Sequence, residues 1–362
     1  YIKHRDFRLM RPLPYKGSNY YDWFIKETLS EKNLECNSKL NFDVKGFNLS
    51  QSDIPNCRGI TIINGWRITT NQPKNPLQDI YIFGGSTVMN VEVPNEFTIA
   101  SYLQRNLNSI NSSYKVNNRG FTTVTTNQQN EFLYKTDIKK GDIVIYYDGG
   151  NNQWQGVVYN SPKGTIIESM RKIRKRSSIR KALSKMHSYK FLSFLKANIK
   201  TQEGPSLEKD NICKFSYKNI DKNIDKKSNI AFELYKKDLI DAAEFVRKNG
   251  GKFFHFYQPN LFSNKISELT SYEKKLANTT PSSMIPCGSS FYLGNSSRVF
   301  SRRHSELINS GIISTNLSKI FSKNINPRLK NEEFFLDWIH IAERGNKIIA
   351  DAIFKSINNK KR

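Results

Sequence analysis

Asp79-Ile80-Tyr81-Ile82-Phe83-Gly84-Gly85-Ser86-Thr87 (residues 79–87) is a short β-rich run that stops abruptly on two glycines and a serine. The pattern that follows repeats the same alternation. Residues 95–110 place Phe97, Ile99, Ala100, Leu103, Leu107 and Ile110 at helical spacing, with Asn95 as the expected cap. Tyr114 to Asn118 reads as a second strand ended by Gly120, and residues 126–136 as another helix. Asp142 to Tyr147 is a third strand, ended by Asp148-Gly149-Gly150. Gly251 to Tyr257 is a fourth, ended by Gln258-Pro259. Strands alternating with helices predict an α/β fold, a parallel sheet covered on both faces. Such sheets bind and react beyond the carboxyl ends of their strands, which directs attention to the loops after Phe83, Asn118, Tyr147 and Tyr257.

Outward from that core the texture changes. Residues 1–75 carry Pro12, Pro14, Pro55 and Pro73 with only short apolar runs, and read as an irregular N-terminal extension to a domain spanning 76–362. An insertion at about 160–227 separates the third and fourth strands. Its residues 161–200 hold twelve Lys/Arg against the single acidic Glu168, densest at Arg171-Lys172-Ile173-Arg174-Lys175-Arg176. Its apolar positions suggest helices with one buried face. The basic side reads either as a solvated face, as a lid, or as a docking surface at 163–200 for an anionic polymer or membrane.

The whole chain of 362 residues has a formal charge of +25, which by itself suggests nucleic acid. Two features argue against that partner. Lys, Asn and Ile are abundant together, as an A/T-rich genome would produce, and the aromatics Tyr189, Phe191 and Phe194 sit away from the densest basic run with no recognised binding motif. No run of about 18 apolar residues exists to span a membrane. Cys36, Cys57, Cys213 and Cys287 form no CxxC pair and have no His at ligand spacing, so no zinc site is expected. One or two disulfides and four separate thiols both remain open. The chain opens on Tyr1, which fits an omitted N-terminal anchor or signal and slightly favours the cell envelope or export over the cytoplasm. No P-loop, G-x-G-x-x-G or acidic metal cluster appears, so neither a cofactor nor a metal is implied.

The polar residues at the strand ends form an ordered series: Gly84-Gly85-Ser86 with Asn90, then Asn118-Arg119-Gly120, then Gly149-Gly150-Asn151-Asn152. Asp337-Trp338-Ile339-His340 and an apolar stretch from about Lys347 to Ile357 close the series. From near Asn64-Gly65-Trp66-Arg67 to the C-terminal helix, this order resembles the SGNH, or GDSL-like, hydrolase family, most specifically at Tyr81–Thr87, Tyr147–Asn151 and Asp337–Ala350. The resemblance implies a three-layer α/β/α fold with a flavodoxin-like parallel sheet, and a serine esterase working through an acyl-enzyme.

In that reading Ser86 is the nucleophile, His340 its general base and then acid, and Asp337 the group that orients the imidazole. The Ser86 N–H, the Gly120 N–H and the Asn151 side-chain amide would surround the oxyanion. A G-x-S-x-G elbow is absent, because Val88 stands at its fifth position, and Asp337 and His340 lie only three apart; both facts separate the chain from α/β-hydrolases. The chain departs from the family pattern at Gly85 (usually Asp), Asn90 (usually Gly), Asn152 (usually Asp) and Thr123 (usually Gly). The implied substrate is an acylated small molecule or polysaccharide, with an O-acetylated carbohydrate as the leading candidate, lipid and thioester substrates as alternatives, and hydrolysis or transfer as the outcome. The alternative is a catalytically inactive protein of the same fold that binds an anionic glycan or membrane surface through its basic insertion. Among the remaining residues, His255 reads as a packed core histidine and Gln258 as a pocket-lining one, Trp154 as a sugar platform or core residue, and His187 as a residue with no nameable partner.

Overall fold

The computed structural model describes residues 42–45, 48–51, 53–57, 59–110, 113–158, 223–264, 268–278, 289–329 and 332–359. Nearly all of the basic insertion, with His187 and Cys213, lies outside the described residues, as do Cys36, Cys287 and most of the N-terminal extension.

Strands β1 (Phe42–Lys45) and β2 (Asn48–Gln51) pair antiparallel. Next come β3 (Ile54–Cys57), β4 (Ile60–Ile63) and β5 (Trp66–Arg67), a three-stranded antiparallel sheet. Asn64 and Gly65 join β4 to β5 with φ of 53° and 76°, the left-handed pair that a two-residue hairpin turn requires. Within the segment expected to be irregular up to residue 75, the described residues carry these short strands as far as Arg67, and residues 68–75 hold no regular element. Strands of two to four residues, one of them holding Pro55, are too short for alternation to show. Ile54, Ile60 and Ile62 of this small sheet pack on Met89, so it shares a core with the main domain.

The main domain continues with β6 (Gln78–Gly84), α1 (Ser86–Met89), α2 (Ile99–Asn108), β7 (Tyr114–Gly120), α3 (Thr126–Leu133), β8 (Ile143–Asp148) and α4 (Gly150–Gln153). After the insertion come α5 (Ile224–Lys248), β9 (Lys252–Tyr257), α6 (Ser271–Asn278), α7 (Ser289–Arg303), α8 (Ser305–Asn309), β10 (Ile313–Asn316) and α9 (Glu343–Asn359). The sheet runs β10-β9-β8-β6-β7, every neighbouring pair parallel. Counted from β6, this is the doubly wound order 2-1-3-4-5 of the flavodoxin-like class. The four expected strands stand in their places. The fifth, β10, was not expected, because Ile-Ser-Thr-Asn carries a single apolar residue.

Alternation sorts the two faces. Ile80, Ile82, Ile143, Ile145, Phe254 and Phe256 face α2 and α9; Tyr81, Phe83, Val144, Tyr146, Phe253 and Tyr257 face α3, α5 and α7. Ile82 and Ile145 are fully buried, each such side chain being worth about 1.5–3 kcal/mol. The cap of α2 is Thr98, whose hydroxyl accepts the Ser101 N–H at 3.2 Å, and not Asn95, which opens a short 3-10 turn before it. With α/β/α layering in place, the carboxyl ends of β6, β7, β8 and β9 lie along one edge of the sheet.

Candidate active site

Strand β6 ends at Gly84, and Ser86 is the first residue of α1. No side chain fits at the two glycines: a Cβ on Gly84 would lie 2.3 Å from Val88 Cγ2 and 2.5 Å from the Tyr147 carbonyl, and one on Gly85 would lie 2.5 Å from Asn151 Nδ2. The first N–H groups of a helix have no intrahelical acceptor, so the Ser86 N–H belongs to the donor end of α1.

Asp337 and His340 sit on a tight loop. Phe335 and Ile341 form an antiparallel bridge at its base, the Leu336 N–H donates to the His340 carbonyl at 2.8 Å, and the Leu261 N–H donates to the Trp338 carbonyl at 2.8 Å. Asp337 Oδ1 accepts the N–H groups of Ile339 (2.9 Å) and His340 (2.8 Å), which locks its carboxylate. Its other oxygen lies 2.7 Å from His340 Nδ1, and His340 Nε2 lies 2.8 Å from Ser86 Oγ. A carboxylate only accepts, so Nδ1 carries the proton and Nε2 accepts from the Ser86 hydroxyl. The structure thus brings together the three residues that the sequence singled out. An imidazole so held is able to take a hydroxyl proton.

Asn151 is the second residue of α4, reached through Gly149 at φ 109°. Its Nδ2 donates to the Val124 carbonyl at 2.8 Å and has a second N–H. A Cβ on Gly150 would lie 2.2 Å from both Gln258 Nε2 and Ile339 Cδ1, so the loops after β8 and β9 and the Asp337–His340 loop converge there. Gln258 also accepts the Thr87 hydroxyl at 2.9 Å, which puts it beside α1.

Gly120 is not brought to this point. Its N–H donates to Asn118 Oδ1 at 2.9 Å, and a Cβ there would lie 2.2 Å from the Met89 N and 2.6 Å from the Val88 carbonyl carbon. Its glycine is needed for close packing under α1, so its expected place among the anion-facing donors is corrected. The loop beyond it turns at Thr123, a β-branched residue at φ 61°, one residue before the carbonyl that holds Asn151. The substitution of Thr for Gly was legible; the positive φ was not.

Neither a protein-family model nor a curated protein matches the chain. Solved structures do resemble it. A member of the lipolytic protein G-D-S-L family from Veillonella parvula aligns at 11% identity and TM-score 0.40, over 77% of this chain and 97% of its own. An acetylxylan esterase from Geobacillus stearothermophilus aligns at 12% and 0.39, over 78% and 95%. A lipase/acylhydrolase from Enterococcus faecalis aligns at 10% and 0.39, over 78% and 97%. At such identities and scores these are likenesses only, and the fold rests on the strand order given above.

A second polar array lies across the sheet, on the α5 face. His255, fully buried in β9, has Nδ1 2.6 Å from Ser314 Oγ and its Nε2 bonded to the Tyr235 hydroxyl. That hydroxyl lies 2.7 Å from Asp148 Oδ1, and His304 Nε2 lies 2.7 Å from Ser314 Oγ. One set of neutral tautomers satisfies every link. His304 donates to Ser314, Ser314 to His255, His255 to Tyr235, and Tyr235 to the Asp148 carboxylate. Burial, and secondarily His255, lowers the His304 pKa to about 4. Burial raises Asp238 on α5 to about 7, helped by Asp241 and Asp148 and opposed by Lys237. Asp148 Oδ2 also meets the Thr126 hydroxyl at 2.8 Å, which lies 3.0 Å from Asn152 Oδ1, so the array ends beneath the Asn151 loop. Asn152 Oδ1 is held in this way, accepting from both the hydroxyl and the backbone N–H of Thr126. Trp154 is buried and stacked on Trp338, with centroids 5.2 Å apart. Among the described residues no cluster of His, Cys, Asp or Glu is arranged to hold a metal, and no helix is long and apolar enough to cross a membrane.

Proposed function

We propose that this chain is a serine ester hydrolase of the SGNH type. The observation that carries the reading is the unbroken chain Asp337–His340–Ser86, with the serine at the donor end of α1 and the Asn151 amide beside it. Ser86 Oγ attacks the ester carbonyl carbon as His340 Nε2 takes its proton. The carbonyl oxygen becomes an oxyanion, met by the Ser86 N–H, by the second N–H of Asn151 and, in place of Gly120, by the backbone N–H of Thr123. One such donor is typically worth about 10²–10³ in rate. The imidazolium returns the proton to the leaving alkoxide, and acyl-Ser86 remains. Water then attacks the acyl carbon with His340 as base; the carboxylic acid departs and Ser86 is restored. Asp337 stays ionised throughout and stabilises the imidazolium.

The acyl group we propose is short, and its carrier a carbohydrate. What supports this is the resemblance of the strand-end residues, in their order, to the SGNH hydrolase family. Transfer to a second hydroxyl in place of water uses the same acyl-enzyme. The test is the hydrolysis of an activated acetyl ester and of an acetylated oligosaccharide by the wild-type chain and by Ser86→Ala. Equal rates in the two proteins would sink the mechanism; turnover of the activated ester alone would remove the carbohydrate.

A further inference from the structure

The small N-terminal sheet places a buried arginine against the end of α1. Arg67, on β5, is 3% exposed, and its guanidinium donates to four acceptors in the segment that follows Ser86: the carbonyls of Met89 (2.7 Å), Asn90 and Val93, and Asn95 Oδ1 (3.1 Å). The same sheet adds two backbone contacts to that segment, Thr61 N–H to Asn95 Oδ1 at 3.2 Å and Asn95 N–H to the Gly59 carbonyl at 2.8 Å. A one-turn helix has little stability of its own, because nucleating a turn costs more than its few hydrogen bonds return. Its last carbonyls also lack intrahelical donors. Arg67 supplies the donor for the last of them, Met89, and for the Asn90 carbonyl just beyond, while Asn118 Nδ2 donates to Val88.

The segment that Arg67 holds connects directly to both reacting side chains. Asn90 caps α1 at φ 47°, and its N–H donates to the Ser86 carbonyl at 2.7 Å. Its side-chain amide, 1% exposed, donates to Asn346 Oδ1 at 2.9 Å, and Asn346 Nδ2 in turn donates to the Phe97 carbonyl at 2.9 Å. Asn346 lies in the first turn of α9, which begins three residues after His340. Asparagine at position 90 therefore does two things that glycine would not do together: it accepts the left-handed backbone, and it ties the serine helix to the helix behind the histidine.

We propose that Arg67 is a positioning residue for the Ser86–His340 pair, acting through Asn90, and that the N-terminal sheet is for this reason part of the reacting unit. The inference rests on the esterase reading above. It concerns the orientation of Ser86, and so the chemical step more than substrate binding.

The experiment counts active sites by fluorophosphonate titration and reports kcat per titrated site with an activated acetyl ester, so that unfolded protein drops out. Lys at position 67 keeps a charge but cannot span four acceptors. Arg67→Lys is expected to lose about 10–100-fold in kcat per site with KM within about threefold, as a small misplacement of reacting atoms does. Asn90→Gly keeps the left-handed turn, removes the amide tie and is expected to lose about tenfold. The double variant should lose less than the product of the two, because both act on one contact set. Val246→Ala loosens the core on the opposite face of the sheet, away from this contact set, and should keep the wild-type kcat per site.

Wild-type kcat per site in folded Arg67→Lys would overturn the role of Arg67. So would a loss in Val246→Ala as large as that in Arg67→Lys, since the effect would then belong to general stability. If Arg67→Lys yields no titratable protein, Asn90→Gly decides: an unchanged kcat per site there overturns the coupling. If the wild-type Ser86 takes no label and turns over no ester, the esterase reading fails, and the positioning role fails with it.

Discussion

Among the described residues two Ser–His–Asp arrays stand on one sheet, and they differ in where the sheet holds them. In the first, Ser86, His340 and Asp337 come from the end of β6 and a C-terminal loop, at the carboxyl edge where loops converge. In the second, Ser314, His255 and Asp148 come from the strands β10, β9 and β8 themselves. The distances are alike: 2.8 Å from Ser86 Oγ to its imidazole and 2.6 Å from Ser314 Oγ. The surroundings differ. His340 stays 13% exposed, its carboxylate is fixed by two backbone N–H groups, and helix donors and an amide stand by the serine. His255 is fully buried, its Nε2 reaches Asp148 chiefly through Tyr235, and its serine is bonded again by His304. The residue types and the hydrogen bonds recur, so neither identifies an active site. Access, and donors aimed at a charge still to form, make the difference.

The largest test of this contrast is to remove each serine. Ser86→Ala is expected to lower kcat on an activated acetyl ester by at least about 10⁴, the order seen when a triad member is lost. Ser314→Ala should leave kcat within about threefold. A comparable loss from Ser314→Ala would break the distinction, because the buried array would then take part in the reaction.

Next in size is the histidine of the second array. His255→Phe removes both of its hydrogen bonds, leaves the Tyr235 hydroxyl with one partner fewer and forces a larger ring into a closed site. About 2–4 kcal/mol of stability should be lost, measured by urea unfolding, since unsatisfied buried polar groups and overpacking each cost about 1–3 kcal/mol. Activity per folded molecule should fall less than about tenfold. For the first array the order is reversed: His340→Phe should cost far more in rate than in stability.

The difference between the arrays also marks how far the sequence could be read. Ser86, Asn151, Asp337 and His340 were legible because each lies at a strand end or in a short closing block, where residue type and chain position both signal use. Gly120 misled, because a glycine after a strand has two physical uses, donating its N–H to a ligand or letting backbone pack closely; here it packs against α1. The turn at Thr123 left no trace, since threonine is rarely left-handed. Asn64-Gly65 did carry a hairpin signal, but the strands it joins are too short to register alternation. His255 was read correctly as a core residue, yet its chain of partners joins four elements far apart in sequence. Arg67 makes the same point: its acceptors lie 22 to 28 residues away, and nothing local marks it.

The pH dependence of stability separates the sealed array from its helix neighbour. Folding holds His304 near pKa 4, below its ordinary value of 6.5, so between those values the unfolded chain binds more protons. Its contribution is therefore intact above about pH 6.5 and is lost as pH falls towards 4. Asp238 has the opposite sign. Its folded pKa is raised from 3.8 to about 7, so the folded chain binds more protons in that window and its penalty grows as pH rises towards 7. His304→Gln should flatten the fall in thermal midpoint between pH 6.5 and 4, and Asp238→Asn should raise the midpoint at pH 8 while steepening that same fall. Equal slopes in His304→Gln and the wild type would mean that the imidazole charges in place, and that the array is less sealed than its burial indicates.

The smallest effect belongs to the first array and concerns backbone alone. A β-branched residue at φ 61° is expected to cost about 1–2 kcal/mol relative to its preferred regions, while glycine there costs roughly 0.5–1 kcal/mol in unfolded-state freedom. Thr123→Gly should therefore be neutral or stabilising by up to about 1.5 kcal/mol, the difference of those two ranges. If the Thr123 N–H is what meets the oxyanion, losing the side chain changes nothing at the reacting atoms, and kcat should stay within about twofold. The side chain's visible bond is a donation to the neighbouring Thr122 carbonyl at 2.7 Å, which glycine gives up without exposing any group of the site. A large drop in kcat with unchanged stability would instead assign the work to the threonine hydroxyl. The first array would then owe its reactivity to one more side chain, and less to the preformed backbone that sets it apart from the second.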